Sequence, residues 1–113
     1  MNSRVAGVVS GFLIAFMFAV ALWGLDALPA GTRIAVHWGV DGEPDRWMGK
    51  WIGLLSIPLF SLALLWLESL VPKGWTSPGK LVLPAHARRA LLCCVLLIQA
   101  IAQAMIAYAA MVQ

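Results

Sequence analysis

Residues 5–25 read VAGVVSGFLIAFMFAVALWGL, a run without a single charged side chain. At 1.5 Å rise per residue, roughly 20 helical residues cross the ~30 Å hydrocarbon layer of a bilayer, and lipid admits only elements that satisfy their own backbone hydrogen bonds. Two further stretches repeat the signature: residues 51–71, where Glu68 is the one charge, and residues 90–112, where there is none. The pattern predicts an all-α integral membrane fold of three transmembrane helices, at about 5–25, 47–71 and 88–112, with an ordered extracytoplasmic loop between the first two. No repeat or flexible linker interrupts it, so residues 1–113 read as a single membrane domain.

Composition agrees. Of 113 residues, 62% are hydrophobic and 12% charged, with a mean hydropathy of +0.88, against about half apolar and a quarter charged in a soluble domain. A core of this size cannot hide so much apolar surface from water, so lipid is the expected partner. A net charge of +3 could suggest nucleic acid, but no basic stretch carries interleaved aromatics, and no nucleic-acid partner is expected. Arg4 before an apolar run ending near Ala19-Val20-Ala21 resembles a secretory leader. The run continues through Leu22, Trp23 and Leu25, however, and a retained span is the better reading.

Lys and Arg set the orientation. Arg4, Lys73, Lys80, Arg88 and Arg89 fall on one side, Arg33, Arg46 and Lys50 on the other. Five against three places the N-terminus and the second loop in the cytoplasm, because cationic loops resist translocation. Trp23, Trp47 and Trp51 then mark the outer interface, and Trp66 and Trp75 the inner one.

Within the spans, Gly7, Gly11, Ala15 and Ala19 recur every four residues, which predicts a seam for close packing against the other two helices or, failing that, against a second copy. Ala100 and Ala104 repeat the theme. Gln99 and Gln103 form a polar stripe whose amides need partners across helices. Pro58 predicts a kink. Cys93 and Cys94 lack metal or redox spacing, and no disulfide is expected. Glu68, costly in lipid, could couple a proton to transport, but it lies one turn before Pro72, where Lys73, Arg88 or Arg89 can pair with it, and the interfacial role is favoured. Together Glu68, Gln99 and Gln103 make up a candidate intramembrane polar site.

The loop LPAGTRIAVHWGVDGEPDRW, residues 28–47, is chemically dense. Ile34, Val36 and Trp38 alternate along an extended segment and should bury against the helix tops, while Asp41-Gly42 signals a turn. Pro44, with Asp45 behind it, suits the first turn of a helix, so the second helix is expected to begin there. His37, Asp41, Glu43 and Asp45 could be gathered around a metal, yet the acids serve equally as turn and cap residues. No cofactor or metal is expected, no nucleophile or phosphate loop stands beside His37, and the chain reads as a non-enzyme. His37 should instead be fixed by a hydrogen bond to Asp41 or Asp45.

Leu28-Pro29, Ile34, His37-Trp38-Gly39, Gly42, Pro44-Asp45, Trp47 and Lys50, set between two spans, resemble the DUF1648 domain, which also forms the N-terminal part of SdpI-type bacterial immunity membrane proteins. Ala35 stands where the family often has proline, and Gly39 where it often has asparagine. The resemblance implies a bacterial inner-membrane protein, with His37, Trp38, Gly42, Pro44 and Asp45 matching the family motif; together with Asp41 of the turn they make up the candidate functional loop. It further implies toxin immunity or sensing, with an extracellular peptide, another membrane protein or a second copy as partner. A small oligomeric proton-coupled transporter and an accessory subunit of a membrane complex are the alternatives.

Overall fold

The computed structural model describes residues 2–71 and 83–113. Three helices, α1 (Ser3–Ala27), α2 (Lys50–Ser69) and α3 (Ala85–Val112), are each long and apolar enough to cross a membrane. At 1.5 Å per residue they span about 37, 30 and 42 Å. Lys73, Trp75 and Lys80, used above to orient the chain, lie outside the described residues.

Side chains of Asn2 and Thr32 bracket the first helix and its exit. Asn2 Oδ1 accepts from Arg4 N at 2.8 Å, capping α1. Beyond Leu28, Pro29 cannot continue the helix. Thr32 Oγ1 donates to the Pro29 carbonyl at 2.6 Å, and Gly31 takes a positive φ of 81° to turn the chain.

The ordered loop is a β-hairpin, so the all-α reading is amended: β1 (Arg33–Trp38) pairs antiparallel with β2 (Pro44–Gly49). The expected helix start at Pro44 is overturned, and α2 begins at Lys50 rather than at 47. Pro44 opens a strand instead, a position where its missing N–H costs the ladder nothing. What decides between the two is long-range: β1 offers a partner strand, which local cap signals do not report. At the other end, α3 starts three residues before the expected 88, on the N-cap residue Pro84.

The core forms two clusters along the bundle axis. At the hairpin end Ile34 of β1 is fully buried among Ala21 and Leu25 of α1, Leu54 of α2 and Ile106 of α3, with Val36 and Trp38 packed against the same cluster. Deeper, Ile14 and Met17 of α1 meet Leu96 and Ala100 of α3.

The expected small-residue seam is not where α1 packs within the chain. Gly7, Gly11, Ala15 and Ala19 are all exposed on the bundle surface, and a Cβ on Gly7 or Gly11 would meet nothing within 4 Å. The buried face carries Ala6, Ser10, Ile14, Met17, Ala21 and Gly24 instead. Spacing by four defines a helix face without saying which face is covered, and here the larger face wins because it fills more volume. The glycines that do allow close approach are Gly24, where a Cβ would lie 2.8 Å from Leu54 Cδ1, and Gly53, where it would lie 2.5 Å from Ile34 Cδ1.

Candidate functional site

The hairpin is held by its base. Ile34 seats in the space left by Gly53 of α2. Lys50, the first residue of α2 and only 9% exposed, donates from Nζ to the carbonyls of Leu25 at 2.9 Å and Leu28 at 2.6 Å, while its backbone N–H donates to Thr32 O at 3.0 Å. Those carbonyls belong to the C-terminal end of α1, which lacks intrahelical donors and carries the negative end of the helix dipole, so a cation there is doubly favoured. Gln113 at the end of α3 donates from Nε2 to Arg33 O at 2.9 Å. All three helices therefore grip the base of one two-stranded ribbon.

The far half is displayed. Pairing runs Arg33 with Gly49, Ile34 with Met48 and Ala35 with Trp47, then steps to His37 with Arg46 and Trp38 with Pro44. The steps skip Val36 on β1 and Asp45 on β2, two irregularities on opposite strands that offset one another. Set out of the ladder, Asp45 reaches across to His37, whose Nδ1 lies 2.6 Å from Asp45 Oδ1. Both side chains stay more than half exposed, at 63% and 52%. Asp41 takes a different part: its Oδ1 accepts from Glu43 N at 3.1 Å, stiffening the turn. Gly42 adopts φ 81° and its N–H donates to Gly39 O, while Gly39 N donates to Glu43 O. Val40, at the apex, is fully exposed.

The arrangement places an ordered imidazole–carboxylate pair, two further acids and a half-buried indole, Trp38, on a stem held by all three helices. Among the described residues no three His, Cys, Asp or Glu side chains stand together as a metal cage.

None of the three intramembrane residues belongs to the hairpin, and only Gln99 and Gln103, one turn apart on α3, are neighbours. Glu68 sits at the opposite end of the bundle, partly buried, where Arg88 Nε donates to its Oε1 at 3.2 Å. Gln99 accepts from Ser61 Oγ at 2.6 Å, and Gln103 donates to Leu54 O at 2.7 Å. Both amides thus bond to α2, and the structure does not assemble the three residues into one site. The roles of Lys50 and Ser61 were not foreseen from sequence. A lysine at the head of an apolar span does signal that some carbonyl must receive it, although which one depends on where α1 ends.

Residues 12–62 match the model of a family described as Domain of unknown function (DUF1648), the family that the loop residues resemble. The match takes in most of α1, the whole hairpin and α2 as far as Leu62, and it stops short of Glu68, Gln99 and Gln103. No curated protein and no solved structure matches the chain.

Proposed function

We propose that the hairpin carried by the DUF1648 segment is a recognition element, and that the chain is a non-enzymatic protein of a bacterial inner membrane. Its tip, from His37 to Trp47, faces out of the cytoplasm and meets an extracellular peptide or a partner membrane protein, in toxin immunity or in sensing as in SdpI-type proteins. The observation that carries this reading is the division of labour along the ribbon. Its base is locked by Lys50, Ile34 and Gln113, while His37, Val40, Asp41, Glu43 and Asp45 are held out and exposed. Rigid display of polar groups lowers the ordering entropy that binding must overcome.

Two experiments test it. A cysteine in place of Val40 should react with a membrane-impermeant maleimide in intact cells; protection there, with labelling only after lysis, would reverse the topology. Expression of the chain should raise the survival of a sensitive host exposed to medium from cells carrying the gene, and His37→Ala or Asp45→Asn should remove that gain. Equal survival with and without the chain would end the immunity reading.

A second reading, a small oligomeric proton-coupled transporter, draws on Glu68. This carboxylate lines a cleft of about 400 Å³ with Leu64, Leu67, Arg88 and Leu91, and the exposed Gly7–Ala19 stripe leaves α1 a smooth face for another copy. The Arg88 pair favours an anchoring role, and the transporter stays the alternative.

A further inference from the structure

From Gly39 to Asp45 the tip carries three carboxylates, Asp41, Glu43 and Asp45, and no lysine or arginine. Two of them gather at Gly39. A Cβ there would lie 3.0 Å from Asp41 Oδ1 and 3.5 Å from Asp45 Oδ2, so both acids crowd the place that a side chain would fill. Among the described residues the glycines with positive φ are Gly31 and Gly42; what Gly39 contributes is room. Each acid also has a bond to keep. Asp41 Oδ1 accepts from Glu43 N at 3.1 Å, and Asp45 Oδ1 lies 2.6 Å from His37 Nδ1. Like charges held this close repel one another, and His37 is the group beside them that can change the balance.

Arg46 is the partner of His37 across the ladder, and Arg33, at the base, donates to Trp47 O. Of the helices packed against the ribbon, α2 brings Lys50, which is committed to the Leu25 and Leu28 carbonyls. The other, α3, has no charged side chain from Ala90 to Val112, and its titratable group on that side is Tyr108, which lines a groove with Trp38 and Gly42. A carboxylate only accepts, so neutral His37 carries its proton on Nδ1 and leaves Nε2 bare. Imidazole is the side chain that gains a proton between about pH 5 and 8, and here that proton passes from water to Nε2. The bond from Nδ1 to Asp45 then becomes a stronger, charge-assisted one, and the new positive charge offsets the repulsion between Asp45 and Asp41. We propose that His37, Asp45 and Asp41 form a proton-operated latch: protonation of His37 closes the tip from Gly39 to Asp45, loss of the proton loosens it, and Gly39 is the positioning residue that lets the two carboxylates meet. The latch sets the charge and stiffness of the tip before any partner arrives, so its use rests on the recognition role proposed above, whereas its existence does not.

The test uses the full chain in nanodiscs with His86→Gln, which leaves His37 as the one imidazole seen by NMR. Backbone amide exchange is followed through the titration of the His37 ring and corrected for the intrinsic pH dependence of exchange. The amides of Gly39 and Glu43, which donate to Glu43 O and Asp41 Oδ1, should be about two- to fivefold better protected below the midpoint than above it, the range that exposed ion pairs provide. Amides of Ile34 and Met48, paired in the clamped base, should not follow the titration, and their protection shows that each variant is folded. The response of the tip should vanish in His37→Gln and in Asp45→Asn. Gly39→Ala should uncouple the two events, so that the ring still titrates while the tip amides no longer follow it. Tip protection that stays flat through the titration overturns the proposal, as does a response that survives His37→Gln or one that Gly39→Ala leaves unchanged. Because the readout is the tip itself and not survival, a negative result here leaves the recognition role standing, and a negative survival assay leaves the latch standing.

Discussion

Gln103 of α3 donates its side-chain amide to the carbonyl of Leu54, the acceptor in α2 that Pro58 leaves without a partner four residues later. A proline inside a helix removes one N–H, and in lipid the bare carbonyl has no water to turn to. The repair comes from another helix. Gln103 is fully buried, and its Oε1 has no partner among the described residues, so the bond to Leu54 accounts for its placement. Replacing Gln103 by Leu should cost about 0.5–2 kcal/mol of stability in detergent. In a Pro58→Ala background, where an amide proton is restored, most of that cost should vanish. A cycle of thermal unfolding on the four proteins measures the coupling, and a cost independent of Pro58 would refute the pairing.

Lys50 should matter more than any other charged residue at the hairpin end. Lys50→Met keeps the aliphatic stem but removes the donor shared by the Leu25 and Leu28 carbonyls, a loss of about 2–4 kcal/mol. Hydrogen exchange should speed up first at the amides of Arg33 to Trp38. Exchange that rises evenly along all three helices would show that the clamp does not act on the hairpin.

Glycines on the two faces should respond with opposite signs. Gly53→Ala forces a methyl toward the fully buried Ile34 and should destabilise by about 1–3 kcal/mol. Gly11→Ala meets open space and should stabilise by about 0.5–1 kcal/mol through helix propensity alone. Unfolding midpoints of the two variants decide it, since a destabilising Gly11→Ala would put α1's exposed stripe in a tight contact with another chain.

Substitutions at the tip should separate function from folding. The His37–Asp45 pair is largely in solvent, so Asp45→Asn should lower global stability by less than about 1 kcal/mol while removing the proposed protective phenotype. Glu68→Gln should leave that phenotype nearly intact. Loss of activity in Glu68→Gln with wild-type behaviour of the tip variants would transfer the case to proton-coupled transport.

The three spans could be read from the sequence because lipid imposes a length and a charge rule on every residue between Val5 and Leu25 and its counterparts. The alternation of Ile34, Val36 and Trp38 likewise identified the side that faces the helices. The ribbon did not emerge, because Pro44-Asp45 is as good a helix start as a strand start, and only the presence of β1 alongside decides. Similarly, Gly7, Gly11, Ala15 and Ala19 announced a face without its partner. Lys50 with Leu25 and Leu28, Ser61 with Gln99, and Leu54 with Gln103 are separated by 22 to 49 positions, and separations of that size leave no periodic trace.

The direct bond from Lys50 N to Thr32 O joins the end of the first crossing to the start of the second, which imposes a rule on how this segment can diversify. Residues inserted between Thr32 and Ile34, or between Met48 and Lys50, would pull the plug from Gly53 and unseat the clamp. Residues inserted between Gly39 and Glu43 would only lengthen the tip. Variation in length and chemistry is therefore tolerated at the apex and penalised at the stem, so the ribbon can diverge at its tip while the spacing of the first two helices stays fixed.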